Sequence, residues 1–165
     1  MKAATQCTFM VPSDFLPGDK TGLFQNVNSP MESATISYNC YNNGMDKVLT
    51  NREKKELEAS GQKSVLDSSR SLTKEIYEEQ ISAAYASEYG EGVGFEVNSF
   101  DKITIDGFPG YKIVSTFKPS DCEVVHQTVY MVLSRYRVFT VTYQRAEDDD
   151  FEEEFEKSAE TIRIR

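Results

Sequence analysis

The sequence predicts an α+β protein, a three-layer α/β/α sandwich with a mostly antiparallel central sheet of about six or seven strands. Three observations lead there. From Lys102 onward, stretches of apolar–polar alternation follow one another with only short turns between them, and a parallel return would need a long crossover. One of these stretches, Val124 to Leu133, is apolar on both faces, so both sides of the sheet need a cover. Two helical stretches, one before the consecutive strands and one after them, supply those covers.

The elements follow in order. Cys7, Phe9 and Val11 alternate with Gln6, Thr8 and Met10 in an opening strand that Pro12 ends. Ser13 to Gly22 reads as a loop, Leu23 to Val27 as a short strand, and Ala34 to Cys40 as the cleanest alternation in the chain. A polar middle runs from Met45 to Ser71, with a short helix expected over Asn51 to Ala59. Ser71 is the expected cap of a longer helix, with Glu75 near the capping-box position. That helix carries its apolar stripe on Tyr77, Ile81, Ala84 and Tyr85, with a second, offset stripe on Leu72 and Ile76. Gly90, Gly92 and Gly94 end it, and Val93, Phe95 and Val97 begin the next strand.

Asp106-Gly107 is a hairpin turn, and Phe108-Pro109-Gly110 continues the break, because Pro109 lacks a ladder donor. From Tyr111, residues Tyr111, Ile113 and Phe117 take one face, and Lys112, Val114 and Thr116 the other. Phe139, Val141 and Tyr143 repeat the pattern two strands later. The period then becomes helical at Phe151, Phe155, Ser158, Ala159 and Ile162. Asp148 to Asp150 stand where an N-cap is expected, and Asp150 with Glu153 makes a carboxylate capping box. Thr161 to Ile164 closes as a strand.

The 165 residues predict one domain, and 39% hydrophobic content with 12% aromatic residues suits a packed core. No apolar run reaches the ~20 residues that a membrane-spanning helix needs. A net charge of −9 opposes binding to nucleic acid. Three cysteines without C-x-x-C spacing argue against a disulfide scaffold or structural zinc, and Cys7 and Cys40 read as inert core thiols. No apolar leader follows Met1, so the expectation is a cytoplasmic protein if the chain is complete as given, and otherwise an exported or lipid-anchored one.

Motifs with chemistry are few. Asp19-Lys20-Thr21-Gly22 resembles the phosphorylated-aspartate motif of P-type ATPases, but Leu23 replaces the expected threonine and a turn rather than a buried strand precedes it. The glycines at 90, 92 and 94 follow a helix, the wrong order for a phosphate cradle. His126 is the only histidine, which excludes a multi-histidine metal site; residues 122 and 126 on one strand lie roughly 13 Å apart. The acidic run from Glu147 to Glu154 lacks the spacing of a calcium loop. No metal site or cofactor is therefore expected. Arg135-Tyr136-Arg137, at a hairpin turn, are the residue types that anchor interfaces and, with His126, are the candidate binding residues. An alternative is a small-ligand carrier or hydrolase with a pocket near Asp121, Cys122 and His126.

The segment from Ile105 to Ile113, together with Phe139 to Tyr143 and Phe155 to Ile162, resembles the PsbP-like family, named for an extrinsic subunit of photosystem II. The shared feature is a turn glycine followed by a small residue and a tyrosine, here Gly107 to Tyr111. The opening strand ending at Pro12 fits as well. The resemblance implies an antiparallel sheet between helices and a non-enzymatic role in assembly or in binding a protein partner. It brings no catalytic motif. Bacterial members of the family are often exported or lipid-anchored.

Overall fold

The computed structural model describes residues 2–28, 34–42, 51–59, 72–119 and 123–165. Its strands are β1 (Cys7–Thr8), β2 (Phe15–Pro17), β3 (Leu23–Asn26), β4 (Thr35–Asn42), β5 (Glu96–Ile105), β6 (Phe108–Phe117), β7 (Val125–Leu133), β8 (Arg137–Ala146) and β9 (Arg163–Ile164). Its helices are α1 (Asn51–Ala59), α2 (Lys74–Tyr89) and α3 (Glu152–Glu160), with a 3-10 turn at Glu91–Val93. Seven strands form one antiparallel sheet in the order β2-β3-β4-β8-β7-β6-β5, and β1 pairs with β9 in a small second ribbon. The expected antiparallel α+β sandwich is the one observed.

Alternation divides the core between two faces. Tyr111, Ile113, Val129, Met131 and Leu133 point to one side, where Tyr77 of α2 packs with Val93, Phe95 and Val97. Val132, Phe139, Val141 and Tyr143 point to the other, where Phe155 of α3 packs with Phe15, Ile162 and Ile164. Val132, Val138, Phe139 and Val141 have no exposed surface, so β7 and β8 are covered on both flanks, as the doubly apolar run required. Several polar groups inside the core are hydrogen-bonded. Ser115 donates to Gln127, Gln127 donates to the Tyr85 hydroxyl at 3.0 Å, and the Tyr143 hydroxyl lies 2.9 Å from Ser158 Oγ.

Several local expectations change. The strand after the hairpin starts at Phe108 and runs through Pro109. Register explains why this is tolerated: β6 begins pairing with β7 at Gly110, so no ladder bond is asked of Pro109. Helix α3 has Phe151 at its N-cap with no side-chain cap, so the Asp150–Glu153 box does not form. Asp149 instead accepts the Ala146 N–H at 3.3 Å and closes the turn out of β8. Thr73, not Ser71, caps α2, its hydroxyl accepting the Ile76 N–H at 3.2 Å. Ile76 is exposed and Ala84 faces solvent, so the apolar stripe narrows to Tyr77 with half-buried Ile81 and Tyr85. Within the expected Ser13–Gly22 loop, β2 forms a hairpin with β3, and the Asp19-Lys20-Thr21-Gly22 motif is its turn. The predicted opening strand is observed at Cys7–Thr8, and Gln6 and Arg165 exchange backbone hydrogen bonds beside it.

Cys7 is half-buried, and burial pushes its thiol up to about 11, with Cys40 adding to the effect. Cys40 is exposed, against the expectation of a core thiol. It shares a face with Ile36 and Tyr38, but the packing that covers Ile36 fades along β4.

Candidate functional site, a cleft beside the last helix

The face that carries α3 is not filled to its margin. The helix is nine residues long and buries Phe155 and Ser158, while the sheet beneath it is ten residues deep at β6 and β8. Lys112 and Val114 of β6, His126, Thr128 and Tyr130 of β7, and Arg145 of β8 occupy alternate positions on that face. They floor a cleft of about 150 Å³ whose wall is Glu152, Phe155 and Glu156. A second hollow of about 380 Å³ shares Lys112, Tyr130 and Glu156 and extends the cleft toward Ile103, Asp106 and Arg163.

Arg145, Lys112 and His126 each have a local partner. Arg145 Nη2 lies 3.6 Å from Glu152, and its Nη1 donates to the carbonyls of Ala146 and Asp149. Lys112 Nζ sits 5.8 Å from the Tyr130 ring centroid, a cation–π contact. Burial raises the Tyr130 hydroxyl above its ordinary range, and the charge of Lys112 pulls the other way. Tyr130 stands edge-on to Tyr143 at 5.8 Å, and Tyr143 contacts Phe155 at 5.2 Å, which ties the cleft floor to the helix core. His126 lies between Thr116 and Arg145 in the ladder, with Nε2 3.9 Å from Glu147.

The sequence-predicted binding residues do not converge. His126 is the second residue of β7, whereas Arg135, Tyr136 and Arg137 lie past its far end, about 30 Å away at ~3.4 Å per residue. The Arg135 guanidinium stacks 5.1 Å from the Tyr136 ring. The hairpin is tied to the N-terminal arm: Arg135 N donates to the Lys2 carbonyl at 2.9 Å, and Arg137 Nη1 to the Ala4 carbonyl at 3.2 Å. Arg137 thus links the start of β8 to the N-terminal arm. Asp121 and Cys122 lie outside the described residues.

Lys112, Tyr130, Arg145, Glu152 and Glu156 were not singled out from the sequence. The alternation places Lys112, Tyr130 and Arg145 on a definite face of each strand. Only the cross-strand register, Lys112 opposite Tyr130 and His126 opposite Arg145, brings them together. Among the described residues no group of three or more His, Cys, Asp or Glu is arranged to hold a metal ion, and no helix is long and apolar enough to cross a membrane.

No protein-family model and no curated protein sequence matches the chain. Solved structures do. Cyanobacterial PsbP from Synechocystis superposes with a TM-score of 0.61 at 16% identity, covering 99% of this chain and 94% of that one. LpqN of Mycobacterium tuberculosis, a protein described as involved in cell envelope biogenesis, gives a TM-score of 0.54 at 13% identity over 98% and 84%. At such identities the likeness is one of fold, and it is the likeness that the turn glycines and the last helix suggested. In its architecture this chain is similar to cyanobacterial PsbP.

Proposed function

We propose that the chain is a non-enzymatic binding or assembly module whose partner is a protein. One observation carries this reading. The polar groups around the cleft pair with one another along its length, Arg145 with Glu152 at one end and Lys112 with Tyr130 at the other, and do not converge on one reacting position. A catalytic centre needs nucleophile, base and charge-stabilising donors within hydrogen-bond reach of a shared point. A long, shallow surface of mixed charge suits a polypeptide contact better.

The test has two arms. A thermal-shift panel of metabolites and metal ions is expected to leave the melting temperature unchanged. A ligand at a hundred times its dissociation constant would add about 2.7 kcal/mol. A stabilising ligand whose effect disappears in His126→Ala would replace the binding module with a small-ligand carrier. In the second arm, cross-linking in the source cell is expected to join Lys112 or Lys157 to one reproducible protein partner, and its absence would count against the reading.

A further inference from the structure

The two edges of the sheet are built differently. On one side β2 has three residues, Phe15–Pro17, and ends in a proline, both of which blunt an edge. On the other, β5 has ten residues and, among the described residues, pairs with β6 alone. The hairpin register states which of its backbone groups point away from the sheet. Asp106 and Gly107 have φ of 48° and 82°, a two-residue turn, so Ile105 and Phe108 form the closing hydrogen-bonded pair. Ile103 and Asp101 then also bond inward to β6, at Gly110 and Lys112. Phe100, Lys102 and Thr104 turn their N–H and C=O outward.

The upper end of this edge is already closed. A register shift between Val97 and Ser99 bulges the strand, and Glu78 of α2 accepts the outward Val97 N–H at 2.9 Å. Below the bulge, no hydrogen bond from the described residues reaches the outward groups of Phe100, Lys102 or Thr104. Asp101, Lys102 and Thr104 are exposed and Ile103 is half-buried.

We propose that the lower half of β5, from Phe100 to Thr104, is a docking edge that takes an extended segment of another protein as an added strand. The proposal rests on the binding-module reading above and gives it a surface and a partner conformation. Backbone pairing supplies the affinity, and side chains on the two faces supply the choice. The fitting segment carries an acidic residue opposite Lys102 and an apolar residue opposite Ile103. A second copy of this chain fits poorly: antiparallel self-pairing centred on the middle of the strand sets Lys102 against Lys102, or Asp101 against Asp101, and like charges directly opposite repel.

The experiment is a selection of twelve-residue peptides from a random library displayed on phage, followed by binding to three proteins. Lys102→Pro removes one outward N–H without touching a β5–β6 bond, so the variant is expected to melt with the wild type. It should bind the selected peptides about tenfold more weakly or worse. Lys102→Glu should turn the selection from acidic toward basic residues at the facing position. Amide exchange of the wild-type complex should slow at Phe100, Lys102 and Thr104. A selection that yields no binders, equal affinity for Lys102→Pro, or protection confined to the cleft beside α3 overturns the proposal. The last of these leaves the binding-module reading standing, whereas a small-ligand hit in the thermal-shift panel removes that reading independently.

Discussion

The two faces of the central sheet are covered by different means. On one, α2 has sixteen residues and lays an aromatic cluster over the sheet: Tyr85 lies 4.8 Å from Phe117 and 5.3 Å from Phe95, and Tyr77 lies 6.3 Å from Phe95. A polar chain within it, Tyr85 to Gln127 to Ser115, is hydrogen-bonded throughout. On the other face α3 has nine residues, and the N-terminal arm and β9 complete the cover. Ser158 donates to the Met10 carbonyl at 2.6 Å, and Thr161 accepts the Met10 N–H at 2.7 Å, so arm and helix form a single lid. A long helix closes its face. A short helix with borrowed chain ends covers the centre of its own and leaves a polar margin. That difference is why the cleft lies beside α3.

The strongest test of this contrast strikes the frame that both faces share. At Gly110 an added methyl would run into the Met131 backbone carbonyl and touch Ile105 Cδ1 at 3.4 Å. Because the obstacle is backbone of the neighbouring strand, Gly110→Ala should remove cooperative thermal unfolding altogether, on both faces at once. Phe155→Ala is next. It should cost about 3–5 kcal/mol in urea unfolding, because the ring is packed against Phe15, Tyr143 and Phe151. Amide exchange in that variant should quicken in α3 and the N-terminal arm and stay slow in α2. Equal loosening of α2 would mean the faces are not independent.

Two hydroxyl deletions compare the faces directly. Tyr85→Phe leaves a buried Gln127 amide without its acceptor and should cost about 1–3 kcal/mol. Tyr143→Phe should cost less, on the order of 1 kcal/mol, since Ser158 keeps the Met10 carbonyl as a partner. Urea unfolding that ranks the two in reverse would show the α3 face to be the tighter.

The smallest effect belongs to the acidic end of the open face. Glu123 is raised above its ordinary 4.5, first by a hydrogen bond with Asp148 and then by the charge of the same residue. A raised folded value means that folding takes up a proton in the window above pH 4.5, so this contribution to stability is lost as pH rises through the folded value. Glu123→Gln should therefore flatten the fall of the melting temperature across that window. An unchanged slope would place the coupling elsewhere.

Much of the fold was legible because alternation is a local signal. Tyr111, Ile113 and Phe117 declare a face from their spacing alone, Asp106-Gly107 declares its turn, and Gly90 ends α2 by donating its N–H to Ala86 at 2.9 Å. The helix caps were less legible. Thr73 and Phe151 sit within two or three residues of stronger-looking candidates, and the choice among them depends on where each helix must start to seat Tyr77 or Phe155 on the sheet.

The cleft was least legible. Lys112, Tyr130, Arg145 and Glu152 span forty residues of chain, and no spacing rule links them. Alternation and turns were enough to give the inward faces of most strands, Cys40 excepted, their antiparallel sense, and the need to cover both sides of the sheet. The register between strands, the closure of α3 by the N-terminal arm, and which long edge strand has a single partner among the described residues belong to the tertiary structure. The reason is physical: side-chain alternation and turn geometry act over two to four residues, whereas register and edge exposure depend on backbone pairing between segments far apart in the chain.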